Sequence, residues 1–182
     1  MHKEEPRWVL APPDKHLRQP FLKGTPIRAL ENERVEYDAE SEKGRFRVVA
    51  ALRETFEMSK GELHADMCEM NVLNEPEILR NLIERYRKDE IFTYIGPTLI
   101  VVNPYKLIDR HFNAKALSEI RGAVLAGNLK GAPHVFLVAG RAYQGLLCGE
   151  GKQAIVISGE SGAGKTESTK YCMRMITSLS QK

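Results

Sequence analysis

The chain has 182 residues, 42% of them hydrophobic and 28% charged, and 27 Lys and Arg against 24 Asp and Glu give a formal net charge of +3. This composition excludes a disordered tail, a collagen-like repeat and a disulfide-stapled miniprotein, and so slight a charge bias argues for no nucleic-acid partner. Cys68, Cys148 and Cys172 lie far apart without a C-x-x-C pair, which favours a reducing compartment, and nothing in the pattern marks a membrane span or a secretion signal.

Residues 1–65 hold 12 basic and 12 acidic residues and are broken by Pro6, Pro12, Pro13, Pro20 and Pro26. Val35 and Tyr37, then Phe46 and Val48, alternate with polar residues on either side of Glu40 to Gly44. That alternation predicts two strands, over 34–38 and 45–52, joined by a turn. The segment reads as an irregular arm followed by a small β-rich module, with Trp8, Val9 and Leu10 as a candidate first strand.

From Asp66 the signals sharpen. Asn74 and Glu77 have the spacing of a capping box, Pro76 suits a first helical turn, and Ile78, Leu79, Leu82, Ile83 and Tyr86 share one face, which predicts a helix over 75–88. Arg85, Arg87 and Lys88 stand at its end, where cations oppose the helix dipole. Ile91 to Ile95 and Thr98 to Val102, parted by Gly96-Pro97, predict a tight hairpin that Asn103-Pro104 stops. A helix follows around 113–126. Pro133 opens an apolar helix with Phe136, Gly140, Tyr143 and Leu147 on one face, expected to lie against a sheet. Ala154 to Ile157, after a loop at Gly149 to Lys152, has the unbroken apolar character of a strand covered on both faces. Met67, Met70, Met173 and Met175 read as core fillers, Cys172 as a buried thiol, and Asp66 with Glu69 as solvated carboxylates.

Gly159-Glu160-Ser161-Gly162-Ala163-Gly164-Lys165-Thr166 follows that run and matches G-x-x-x-x-G-K-[ST] at every fixed position. After it, Tyr171, Met175 and Leu179 recur at four-residue spacing, so the loop sits between a predicted strand and a predicted helix, as the motif requires. Gly159, Gly162 and Gly164 permit the dihedrals that turn successive N–H groups around a phosphate, and the helix start adds unsatisfied donors. Lys165 is the candidate for the β and γ phosphates and Thr166 for Mg²⁺. Glu160 and Glu167 beside the loop favour the helix dipole and show no opposed partner for acid–base work. Sixteen residues follow Thr166, enough for the helix but not for later strands that supply an Mg²⁺-holding Asp or a water-placing group. The apolar run Leu99 to Asn103 ends in an amide. Taken alone, the chain is expected to bind a nucleotide poorly and hydrolyse it negligibly, and it reads as the front of a larger motor or enzyme.

These residues resemble the myosin motor head. The stretch Gly159 to Glu167 is similar to that family's phosphate loop, and Asn103-Pro104-Tyr105-Lys106 to its purine-binding segment. Leu73-Asn74-Glu75-Pro76, Arg85-Tyr86, Asp89, Ile91 to Gly96, Pro133-His134 and Arg141-Ala142-Tyr143 stand in the family's order, so the similarity covers residues 66–179.

The resemblance implies an ATP and Mg²⁺ site. In it Gly159, Glu160, Ser161, Gly162, Ala163, Gly164, Lys165, Thr166 and Glu167 would hold the phosphates. Thr166 would hold the metal, Lys165 and Ser161 would serve catalysis near the γ-phosphate, and Asn103, Pro104, Tyr105 and Lys106 would border the adenine. It also implies an α/β fold of the P-loop NTPase kind, with the hairpin 91–102 and a strand 153–158 in a mixed central sheet that is incomplete within residues 66–182. Residues 1–65 would include a small SH3-like β module. The complete protein would be a cytoplasmic, cytoskeleton-associated ATPase moving on actin. Actin filaments and light chains would meet parts outside these residues, which also lack the switch segments. Two departures stand out: His111 takes the place of a base-contacting tyrosine, reading as a purine donor or as a surface histidine, and Ser168 replaces a common asparagine. The competing readings are another P-loop NTPase or kinase with an N-terminal accessory module, and an interaction fragment with an idle loop.

Overall fold

The computed structural model describes residues 5–15 and 17–181, so the first four residues of the predicted arm lie outside the described residues. The chain divides into two compact units, one running to Glu62 and including Asn71–Arg80, the other made of Leu63–Met70 and the chain from Asn81 onward.

In the first unit the five strands Arg7–Leu10 (β1), Phe21–Ala29 (β2), Arg34–Ser41 (β3), Gly44–Ala51 (β4) and Phe56–Glu57 (β5) form one antiparallel sheet in the order β4-β3-β2-β1-β5. Alternation decides its inner face: Val35, Tyr37 and Ala39 of β3 meet Val9 and Leu22 in a core that excludes water. Gly24 lies over that core, where an added Cβ would stand 3.0 Å from the Val9 side chain and 3.2 Å from Tyr37. The arm expected to be irregular is thus mostly β1 and β2. Pro26 hides β2 from the sequence, and the register of β2 against β3 shifts between Pro26 and Arg28, the kind of irregularity where a sheet tolerates proline.

The helix Glu75–Arg87 (α1) begins as expected, with Asn74 Oδ1 accepting from Glu77 N–H at 3.1 Å. The capping box is not closed, however. The Glu77 carboxylate is fully buried and accepts instead from Trp8 Nε1 at 2.7 Å, from Ser59 N and Oγ at 3.1 and 2.6 Å, and from Arg80 Nε at 3.0 Å. Burial alone would raise its pKa, but the bonds from Ser59, Trp8 and Arg80 outweigh that and hold it below the ordinary carboxylate value.

In the second unit Phe92–Ile95 (β6) and Thr98–Val101 (β7) pair as the predicted hairpin, with Gly96 at φ +57° in the turn. Arg85 stands in the last turn of α1, as expected, but is buried. It donates to Thr93 Oγ1 at 3.0 Å and to Phe92 O at 2.8 Å. Asp66 is likewise engaged, accepting from Cys68 N at 3.0 Å and Gly96 N at 3.1 Å, and these bonds lower its pKa.

The single helix expected near 113–126 is two, Asp109–Phe112 (α2) and Ala114–Leu125 (α3), because Asn113 leaves helical geometry and caps α3 through Ala116 N at 2.9 Å. The helices Val135–Leu147 (α4) and Lys165–Ser180 (α5) complete the unit. Val124, Phe136, Ala139, Cys172 and Met175 fill its core together with Ile91 and Phe92. The α4 face that was expected to lie on a sheet packs against helices α3 and α5 instead, and Leu147 at its end is exposed. Gly140 makes this approach possible, since an added Cβ would come 2.4 Å from Val124 Cγ2. The far end of α5 is held by Arg121, which donates to Ser178 O at 2.8 Å and Gln181 O at 3.0 Å, and by Tyr143, which donates to Leu179 O at 3.3 Å.

The expected strand at 153–158 does not form. The segment pairs with no strand among the described residues, Ile155 and Ile157 are only half-buried, and Val156 is 88% exposed. A strand exists through its ladder, and the chain described offers this segment none. The architecture is therefore mixed α/β with two antiparallel sheets among the described residues. No helix there is long and apolar enough to cross a membrane.

Candidate phosphate-binding site

Three glycines turn the loop that precedes α5. Gly159, Gly162 and Gly164 have φ of +151°, +79° and +92°, values that L side chains rarely adopt. Ala163 N–H closes a turn onto Glu160 O at 3.2 Å, and an added Cβ on Gly159 would meet the Ala163 Cβ at 3.1 Å. Gly164 is the residue before the helix and carries no capping side chain, so the N–H groups of Lys165, Thr166 and Glu167 lack an acceptor within α5. The first helical bond runs from Ser168 N to Gly164 O at 3.0 Å.

Lys165 folds back into this turn, its Nζ donating to Gly159 O and to Glu160 O, each at 2.8 Å. The Ser161 and Thr166 side chains are exposed, and neither hydroxyl bonds to another described residue. Glu167 pairs with Lys170 at 2.6 Å one turn along the helix. The donor set, one ammonium with uncapped N–H groups at a helix start, suits an anion, and the two free hydroxyls suit ligation beside it. Among the described residues no group of three or more His, Cys, Asp or Glu is placed to hold a metal ion. A divalent cation here would depend on Thr166 and on the oxygens of the anion itself.

Asn103 and Tyr105 are brought to the same loop from the end of β7. Asn103 Nδ2 donates to Gly162 O at 2.7 Å and Tyr105 hydroxyl to the same oxygen at 3.3 Å. Asn103 Oδ1 accepts from Tyr105 N at 3.0 Å, which supports Tyr105 at φ +51°. Pro104 O accepts from the Tyr86 hydroxyl at 3.4 Å. Lys106 points away from the loop into an ion pair with Asp89 at 2.6 Å, and that bond holds the Asp89 carboxyl below its usual range.

Between residues 103–107 and the start of α5 opens a cavity of about 410 Å³, with Glu167 and Ser168 at one side and Phe112 and Tyr171 at another. The rings of Phe112 and Tyr171 stack at 3.9 Å and 12°, a wall that sequence reading missed because the two residues are far apart in the chain. His111 does not line this cavity. Its Nε2 bonds to Asp89 O at 2.8 Å and its ring lies edge-on to Phe92 at 5.4 Å, so its neighbour Phe112 takes the cavity position. Behind that wall His134 is buried, accepting from Phe136 N at 3.0 Å on Nδ1 and bonding His111 O at 2.9 Å through Nε2. Burial lowers its pKa from 6.5 to about 4, so the ring is neutral, and a single tautomer, protonated on Nε2, satisfies both bonds.

Residues 64–182 match the family model described as "Myosin head (motor domain)". The chain is 44% identical over 113 residues to "Myosin heavy chain 95F" of Drosophila melanogaster, which covers 62% of this chain and 9% of that protein. It is 41% identical over 112 residues to "Unconventional myosin-VI" of Homo sapiens, 62% of this chain and 8% of that one. It is 45% identical over 115 residues to "Myosin-9" of Arabidopsis thaliana, 63% and 7%. The matched stretch thus spans less than a tenth of each of these relatives.

Proposed function

The chain belongs to the myosin head (motor domain) family, and on that premise we propose that it is the ATP-binding front of an actin-based motor. The observation that carries this reading is Lys165, folded into a glycine-turned loop that leads straight into an uncapped helix start. Lys165 presents its ammonium to the β and γ phosphates, and the loop N–H groups with those of Thr166 and Glu167 cradle them. Thr166 offers its hydroxyl to Mg²⁺, and Ser161 stands beside the γ-phosphate. Asn103 to Lys106 border the adenine across the cavity that Phe112 and Tyr171 wall. Bound MgATP supplies the phosphoanhydride whose hydrolysis drives movement in the complete protein.

The same reading assigns the hairpin β6–β7 and residues 153–158 to a larger P-loop NTPase sheet. It assigns residues 1–65 to an SH3-like module and residues 66–182 to the motor domain proper. A five-stranded antiparallel sheet with its own core supports the first assignment, and an apolar run entering the phosphate loop supports the second. Actin and light chains are partners of the whole motor, which places it with the cytoskeleton.

Filament release tests the proposal. The full-length protein should pellet with actin without nucleotide and leave the pellet on addition of MgATP. Lys165→Ala should stay in the pellet at the same MgATP concentration. A wild-type protein with the same actin affinity at every ATP concentration would refute the motor reading, and a fully ATP-responsive Lys165→Ala would refute the role of the loop.

A further inference from the structure

We infer that Asn103 and Tyr105 are positioning residues for the phosphate loop itself and not only neighbours of the base. The inference rests on the nucleotide reading above and adds a role for these two side chains. Both donate to one oxygen, Gly162 O, at 2.7 and 3.3 Å. A trans peptide points its C=O and N–H in opposite directions. Fixing the Gly162 carbonyl toward Asn103 therefore aims the Ala163 N–H the other way, into the loop, where it reaches Glu160 O at 3.2 Å. Glu160 O is also one of the two oxygens that hold the Lys165 ammonium, at 2.8 Å. A continuous path of bonds thus runs from Asn103 through the 162–163 peptide to the cation that meets the phosphates.

Three details favour a built device over chance contact. Asn103 Oδ1 is committed to Tyr105 N at 3.0 Å, which orients the amide so that Nδ2 must face the loop. Tyr105 holds a left-handed backbone, φ +51°, that few non-glycine residues adopt, and its hydroxyl reaches the loop while the residue as a whole stays 82% exposed. The Asn103 side chain also lies against the loop at Gly164, where an added Cβ would stand 3.7 to 3.8 Å from it, in ordinary contact.

A base-free ligand separates loop positioning from base contact. In the full-length protein, calorimetry with magnesium pyrophosphate and with MgATP should show Asn103→Ala weakening pyrophosphate about fivefold, the worth of one neutral hydrogen bond, and MgATP by at least that factor. Tyr105→Phe removes only an exposed hydroxyl, so its fold is secure, and it should weaken both ligands by a smaller factor in keeping with its longer bond. Loss confined to MgATP, with pyrophosphate bound as by wild type, would overturn the inference, as would unchanged affinity for both ligands in both variants. Lys165→Ala serves as the control. If it binds pyrophosphate normally, the phosphate-loop reading fails and this inference fails with it. If it loses pyrophosphate while Asn103→Ala and Tyr105→Phe keep it, only the inference fails.

Discussion

His134 makes stability fall with pH in a window set by its own titration. Buried and neutral, it has a pKa of about 4 in the folded chain against 6.5 in the unfolded one, so on acidification the unfolded state takes up the proton first. Stability is then complete above pH 7 and declines as pH drops through 6.5 toward 4. The two values give a loss of about 1.4 kcal/mol at pH 5.5 and about 3 kcal/mol at pH 4. Asp66, Glu77 and Asp89 also have lowered values, but their unperturbed values of 3.8 to 4.5 confine their effect to lower pH. Urea unfolding at pH 7.5 and 5.5 therefore isolates the histidine. His134→Asn keeps an acceptor able to cap α4 at Phe136 N and removes the titrating ring. It should be less stable than wild type at pH 7.5, through lost ring packing, yet lose about 1.4 kcal/mol less on going to pH 5.5. Equal pH slopes in the two proteins would refute the assignment.

Two further outcomes follow from packing. Gly140→Ala gains about 1 kcal/mol of helix propensity but drives a methyl into Val124, so the second unit should lose about 1 kcal/mol net and melt a few degrees lower. Adding Val124→Ala should cost less than the sum of the two single changes, and a higher melting temperature for Gly140→Ala alone would contradict the contact. Glu77→Gln leaves Arg80 and the Trp8 and Ser59 donors facing an amide, which should cost about 3 kcal/mol. Because Trp8 is the chain's single tryptophan, red-shifted fluorescence should report the loss directly, and an unchanged spectrum and denaturation midpoint would count against the network.

Where local chemistry decides structure, the sequence was legible. Asn74 and the Ile78 to Tyr86 stripe announce α1, Gly96-Pro97 announces the hairpin, and Gly159 to Thr166 announces the loop with its helix. Where distant partners decide, it was not. Ala154 to Ile157 looks like a strand, but strand character is conferred by neighbours, and its own residues cannot provide them. Pro26 masks β2 because its cost is absorbed by a register shift that only β3 reveals. Glu77 has the spacing of a cap, yet Trp8 and Ser59, far away in the chain, claim its oxygens. At the candidate site the polar residues could be named from their motif, whereas the stacked wall of Phe112 and Tyr171 arises only when α2 meets α5. The start of α3 does carry a local signal, since Asn113 stands immediately before Ala114 in the position of an N-cap.

Helix α5 carries the loop at one end and is pinned to α3 and α4 at the other by Arg121 and Tyr143. It therefore behaves as a strut anchored at its far end. A rearrangement of its leading turn loads the Arg121 and Tyr143 bonds at its far end, the points where α5 meets α3 and α4. Amides in the middle of α5 should be among the last in the second unit to exchange with deuterium.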